Sequence, residues 1–162
     1  MTITLHIVSE NDASILRNLY SLYLHDLSKF TQSIDIGVDG VFHFDGLDSF
    51  WIVDGISPYF IKKEDAIIGF LLLLERPYLK KDSDYSVNDI FILNKYKGQG
   101  IGTKVLEQLF NEKSGKYYVI ELVDNLPAVS FWKNVYKQLH IEFEERNELV
   151  DEERCLIQTF TV

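Results

Sequence analysis

Three glycines, Gly98, Gly100 and Gly102, punctuate the run Asn94-Lys95-Tyr96-Lys97-Gly98-Gln99-Gly100-Ile101-Gly102-Thr103-Lys104, between an apolar stretch and an amphipathic one. Without side chains, a strand-to-helix turn of this kind lets backbone N–H groups converge on one spot. The unpaired donors and the dipole of a helix N-terminus favour an anion there, such as a pyrophosphate. Lys97 and Lys104 add positive charge. The same glycines also suit a pure packing device. Two other phosphate motifs are excluded by spacing. A Walker A loop needs lysine directly after its last glycine, and Thr103 intervenes here. A dinucleotide fingerprint needs its third glycine three positions after the second and an early place in a βαβ unit.

Asp89 is the second candidate. It alternates with Val87, Phe91 and Leu93, which places one carboxyl among apolar neighbours. A buried acid has a raised pKa and can take a proton from an incoming ammonium, directly or through water. The alternative is an acid that caps a strand edge or pairs with a lysine. The remaining polar residues form no comparable group. His6, His25, His43 and His140 are scattered without metal-ligand spacing, so no metal is expected. Cys155 lies in a terminal strand as a buried thiol, and Glu142, Glu144, Glu145 and Glu148 read as a solvated face.

The chain of 162 residues suits one domain, residues 1–162, and its 46% apolar and 25% charged composition suits a globular protein. The net charge of −9 repels phosphate backbones and anionic headgroups, so neither nucleic acid nor membrane is an expected partner. A lone cysteine points to a reducing compartment, and Met1 to Val8 has no leader-like pattern, so a cytoplasmic location is expected. The C-terminal strands offer a pairing edge, which leaves monomer and homodimer open.

The elements that must position these groups follow from periodicity. Ile3 to Val8 reads as a strand, and Asp12 to Phe30 as a helix with Leu16, Tyr20, Tyr23, Leu27 and Phe30 on its core face. Thr31 to Ser57 is irregular. Its Phe42, Phe44, Phe50 and Trp51 either line a substrate cleft or form a satellite cluster that pins the loop. Tyr59 to Lys63 and Ile67 to Leu74 form a hairpin, the second strand apolar throughout and therefore covered on both faces. Tyr85 to Leu93 is a strand, Gly100 to Asn111 a helix, Lys116 to Val123 a strand. A helix begins at Asn125, with Val129, Trp132 and Tyr136 near one face. Strands at about His140 to Arg146 and Arg154 to Val162 close the chain. This order implies a mixed α/β fold, a central twisted mixed sheet with helices on both faces.

The run Lys97-Gly98-Gln99-Gly100-Ile101-Gly102 resembles motif A of the GNAT acyltransferases, in which Gln or Arg, two residues, Gly, one residue and Gly or Ala hold the pyrophosphate of coenzyme A. Gly100 and Gly102 match, and Lys97 stands at the Gln or Arg position, keeping the charge without the planar fork. Further along, Asn125-Leu126-Pro127-Ala128-Val129-Ser130-Phe131-Trp132 resembles the family's Asn, two residues, Ala, two residues, Phe-Tyr pattern. The resemblance is strongest from Tyr85 to Tyr136, and it implies the GNAT fold with acetyl-CoA as co-substrate and no metal.

It also implies roles. Lys97, Gly98, Gln99, Gly100, Ile101, Gly102 and Thr103 would hold pyrophosphate. Phe91, Ile92 and Leu93 would align the pantetheine arm, with Asn125, Ala128 and Trp132 beside it. Asp89 stands where many members carry a glutamate base. Trp132 replaces the tyrosine that often protonates the thiol, and its indole has no titratable proton. Tyr136, one turn on, either substitutes for it or is core, and water is a further donor. Asp26, Phe42 and Trp51 border the expected acceptor cleft, Asp26 either as a cation-binding group or as an exposed helical acid. The implied reaction is direct transfer of an acetyl group to the amine of a small molecule or peptide. Trp132 and the missing Gly-Phe after the helix motivate the alternative, a non-catalytic CoA-binding module.

Overall fold

Ile68 to Leu74 is buried without interruption at the centre of the sheet in the computed structural model, which describes residues 2–80 and 82–162. Among these residues the elements follow in the order β1 (Ile3–Ile7), α1 (Ala13–Leu27), β2 (Ile56–Lys63), β3 (Ala66–Glu75), β4 (Tyr85–Ile92), α2 (Ile101–Glu112), β5 (Lys116–Leu122), α3 (Leu126–Gln138), β6 (Phe143–Val150) and β7 (Glu153–Thr161). The strands form one sheet ordered β1-β2-β3-β4-β5-β7-β6, antiparallel throughout except between β4 and β5.

The apolar β3 strand separates two cores, as a strand covered on both faces must. Leu71 and Leu73 meet α2 and α3 through Val105, Leu106, Trp132 and Val135. Phe70 and Leu72 meet α1 through Leu16, Leu19 and Tyr20. A turn of 3-10 helix at Leu47–Trp51 extends the second core with Leu47 and Phe50. Of the loop aromatics, Phe50 thus belongs to this core and Phe44 and Trp51 pack against it, whereas Phe42 does not.

Two irregularities in β4 matter for function. Its register with β3 slips so that Leu72 pairs with Asp89 but Leu73 with Val87, leaving Asn88 as an extra residue. This bulge breaks the simple alternation expected from sequence. Val87 joins the α2 and α3 core, whereas Phe91 and Leu93 join the α1 core. On the other side, β4 pairs with β5 only at Tyr85 with Tyr117 and Ser86 with Tyr118. Beyond that point the two parallel strands separate.

The final hairpin differs from the expectation. His140 takes a left-handed conformation (φ 55°) after α3, and β6 runs Phe143–Val150, later than the stretch proposed from sequence. Asp151 and Glu152, with φ of 49° and 68°, close a tight turn into β7. The acidic run is exposed, as expected, but it is an edge strand; charge on both faces of an edge opposes pairing with other chains. The first helix likewise ends at Leu27, one turn short of Phe30.

One buried group runs against the rule that interior polar atoms find partners. Glu121, on β5, is 4% exposed and neither carboxyl oxygen has a hydrogen-bond partner. Burial, then repulsion from Glu145, pushes its pKa up to about 8, and Lys133 opposes this. The folded chain therefore holds a proton that the unfolded chain releases, so stability falls as pH rises from the ordinary carboxylate value through about 8. Glu121→Leu should be more stable than wild type at pH 9, by on the order of 2 kcal/mol, with the gap closing towards pH 5. Urea melts across that range measure it, and a gap independent of pH would contradict the assignment.

Candidate active site

The loop between β4 and α2 has the backbone its glycines anticipate. Lys97 is extended, Gly98 has φ +76°, and Gly100, the residue preceding α2, is left-handed at φ +76° and ψ +10°. A Cβ at Gly98 or Gly100 would meet nothing within 4 Å, so conformation and open space, not packing, account for these two. The Lys97 amide donates to Asn94 O, and the next amide with a carbonyl partner is that of Lys104, to Gly100 O at 3.2 Å. The intervening amides of Gly98, Gln99, Gly100, Ile101, Gly102 and Thr103 gather at the positive end of a twelve-residue helix.

Gly102 is different. A Cβ there would lie 2.5 Å from Cε1 of Phe131, so its side-chain-free surface seats α3 against α2. The side chain of Ile101 is buried in the core and contributes only its amide. The Gln99 side chain folds back, donating from Nε2 to Lys95 O at 3.3 Å. Lys97 Nζ lies 3.8 Å from Asp26 Oδ2, an ion pair joining the glycine loop to α1. Asp26 is an exposed acid of α1, as its helical alternative expected, and its carboxylate is shared with Lys97.

The open side of β4 continues from this loop. Phe91 is buried, Ile92 and Leu93 are half-buried, and Ile92 Cδ1 reaches the neighbourhood of Gly102. Gly69 permits the close approach of β3, since a Cβ there would collide with Phe91 O. Across the gap, Asn125 Oδ1 accepts from Ala128 N at 3.2 Å and caps α3. Trp132 is buried beside Phe131.

Tyr136 does not join the cleft. It is 1% exposed, its hydroxyl donates to Gln158 Oε1 at 2.7 Å, and its ring packs on Phe143 and Phe160. Burial drives its pKa far upward. The structure thus corrects its expected part as proton donor: it is a core residue of α3. Trp51 is corrected similarly, because its indole N–H donates to Val8 O at 2.9 Å and anchors the loop to β1. Phe42 stays half-buried, with its ring 5.6 Å from that of His25 and its amide donating to Ser21 Oγ.

Asp89 sits just past the bulge, on the face covered by α1. It accepts from Tyr20 Oη at 2.8 Å and Tyr23 Oη at 2.9 Å, one on each oxygen, and from Asn88 Nδ2 at 3.2 Å. Burial raises its pKa, and these three donors pull it back. Lysine pairing, the alternative from sequence, is not found among the described residues. The two tyrosines were legible as one helix face but not as partners of an acid, since that contact spans 69 and 66 residues of chain.

A family model for the acetyltransferase (GNAT) family matches residues 16–135. The chain belongs to that family. None of the curated proteins matches it, but solved structures do. An acetyltransferase from Thermus thermophilus superposes with a TM-score of 0.72 at 16% identity, covering 100% of this chain and 98% of that one. AAC(6')-Ib in complex with ribostamycin and coenzyme A gives 0.67 at 17% identity, covering 99% and 94%. NAA60 of Arabidopsis thaliana with a bisubstrate analogue gives 0.63 at 12% identity, covering 99% of both. At these identities the likeness is one of fold.

The split among the glycines is testable by substitution. Gly102→Val should destabilise by about 1–3 kcal/mol through collision with Phe131, and Phe131→Ala should partly rescue it. Gly100→Ala should cost about 1 kcal/mol through its left-handed backbone, with no rescue by Phe131→Ala. Denaturant melts of the single and double variants distinguish the two; equal rescue in both would remove the distinction.

Proposed function

We propose that this protein is an acetyl-CoA-dependent N-acetyltransferase that acts on a primary amine carried by a small molecule or peptide. The observation that carries the reading is the continuity of three features. An open cradle of unpartnered amides leads into the parted strands β4 and β5, and a half-buried carboxylate stands at the same strand. The cradle fits an anion: nothing fills the space over Gly98 and Gly100, and Lys97 stands next to it. The amides of Gly98 to Thr103 with Lys97 would hold the pyrophosphate of coenzyme A. The backbone of Phe91 to Leu93 would align pantetheine, with Asn125, Ala128 and Trp132 on the opposite wall.

When bound, acetyl-CoA supplies an acyl group activated as a thioester. Asp89 takes a proton from the acceptor ammonium, leaving the nitrogen lone pair free to attack. The acyl group passes directly to the amine within a ternary complex. The only cysteine supports this, since Cys155 is buried and burial raises its thiol pKa, which disfavours a covalent enzyme intermediate. With Tyr136 committed to Gln158 and Trp132 lacking a titratable proton, water is the donor to the leaving sulfur. Related folds crystallised with ribostamycin or a bisubstrate analogue support the acceptor class. The net charge of −9 suits a cationic acceptor and opposes nucleic acid, and the lone buried thiol suits a cytoplasmic setting.

Calorimetric titration with acetyl-CoA, beside Gly100→Trp as a blocked cradle, is the first test. Wild type should bind in the micromolar range and the variant should not. A free-thiol assay over primary amines and N-terminal peptides then reads turnover, and Asp89→Asn should lower kcat about 100-fold or more with acetyl-CoA binding unchanged. Activity should require the ionised carboxylate, rising with pH through the raised Asp89 pKa. Folded wild-type protein that binds no acetyl-CoA would overturn the reading; binding without turnover on any amine would leave a CoA-binding module.

A further inference from the structure

Asp89 has an unusual set of neighbours for a half-buried carboxylate. Among the described residues no lysine, arginine or histidine forms an ion pair with it. Its polar neighbours are the Tyr20 and Tyr23 hydroxyls from α1 and the Asn88 amide from its own strand. The hydroxyls come from positions three apart on one helix face, and each donates to a different carboxyl oxygen. Both rings are held: that of Tyr20 lies 4.3 Å from Phe70 and 4.9 Å from Phe44, that of Tyr23 5.6 Å from Phe70 and 6.0 Å from Phe91.

We propose that Tyr20 and Tyr23 are the positioning residues of the reaction, a pair of hydroxyls that hold the Asp89 carboxylate in place as proton acceptor. The proposal rests on the reading of Asp89 as the base. Desolvation alone favours the neutral acid, which has no use as a base. With no cation paired to it among the described residues, hydrogen bonds to the ionised form are the remaining means of keeping the carboxylate charged near neutral pH. The tyrosines can serve only as donors here, since burial and the facing carboxylate raise both phenol pKa values well above their ordinary range. The Asn88 amide, at the longer distance and on an exposed residue of the bulge, adds a third and weaker donor.

The carboxyl carbon-13 resonance of Asp89, identified by its loss in Asp89→Asn, reads the ionisation in the full chain without any acceptor. Tyr20→Phe and Tyr23→Phe keep the rings and remove one donor each. Each should raise the Asp89 titration midpoint by about one pH unit, and the double variant by more, with melting temperatures close to wild type. On any amine turned over by wild type, the acid limb of kcat/KM should move upward by the same interval, and raising the pH should restore the rate. A loss of rigidity alone would lower the rate at every pH. A midpoint unmoved in both variants overturns the clamp, whereas full turnover by Asp89→Asn would overturn the base reading beneath it.

Discussion

The separation of β4 from β5 after two paired residues is the constraint on which the site depends. Parallel neighbours that stayed paired to their ends would leave no room between Ile92 and Leu122, and β4 would have no unpaired edge to offer a ligand. Helix crossovers make this separation possible. The chain leaves β4 through the glycine loop into α2 and leaves β5 through the Asn125 cap into α3, so each strand end is followed by a helix N-terminus at the mouth of the gap. The close seating of α3 on α2, through the bare surface of Gly102 beneath Phe131, keeps the two helices together while the strands beneath them diverge.

The first helix supplies the other boundary. Tyr20, Tyr23 and Asp26 recur at intervals of three, and together they meet β4 and the loop that follows it. The first two reach the carboxylate at the bulge, and the third reaches Lys97 beside the cradle. One rigid element therefore spans from the proposed base to the proposed pyrophosphate site. The Lys97–Asp26 pair is half-exposed and by itself contributes little to stability, on the scale of about 0–1 kcal/mol. Its meaning is geometric: an anion drawn to Lys97 competes with the helix that carries the clamp.

What could be read from sequence divides along a physical line. The cradle was legible because its determinants are local: glycine at positive φ, a helix N-terminus directly after a strand, and the apolar period of α2. The apolar β3 strand announced two covered faces for the same reason. The bulge was not legible, because slipping the register by one residue at Asn88 depends on β3, and it moved Val87 to the opposite core from Asp89. The tyrosine contacts were hidden by the same long-range pairing. The last hairpin misled because charged side chains at successive positions carry no alternation, and only an edge strand tolerates them. Tyr136 was a candidate by its spacing from Trp132 and Trp51 by its place in the long loop, yet each has an acceptor that neither signal reveals, Gln158 for one and the Val8 carbonyl for the other.

Two acids, the half-buried Asp89 and the buried Glu121, complete the contrast. Asp89 and Glu121 lie three residues beyond the last paired positions, Ser86 and Tyr118, of their parallel strands, but on opposite faces. Burial raises the pKa of both. Asp89 is surrounded by donors that favour its charge, whereas Glu121 has none and is further discouraged by Glu145. The difference thus lies in the partners: donors that favour the charged form of Asp89 beside α1, and none for Glu121 beneath α3. Since the neutral acid has no accessible oxygen and the tyrosine above it already donates to Gln158, the α3 side offers the cleft no proton. Under the proposed reading, side-chain proton transfer in this enzyme is confined to the α1 side, where the acceptor amine must lose its proton.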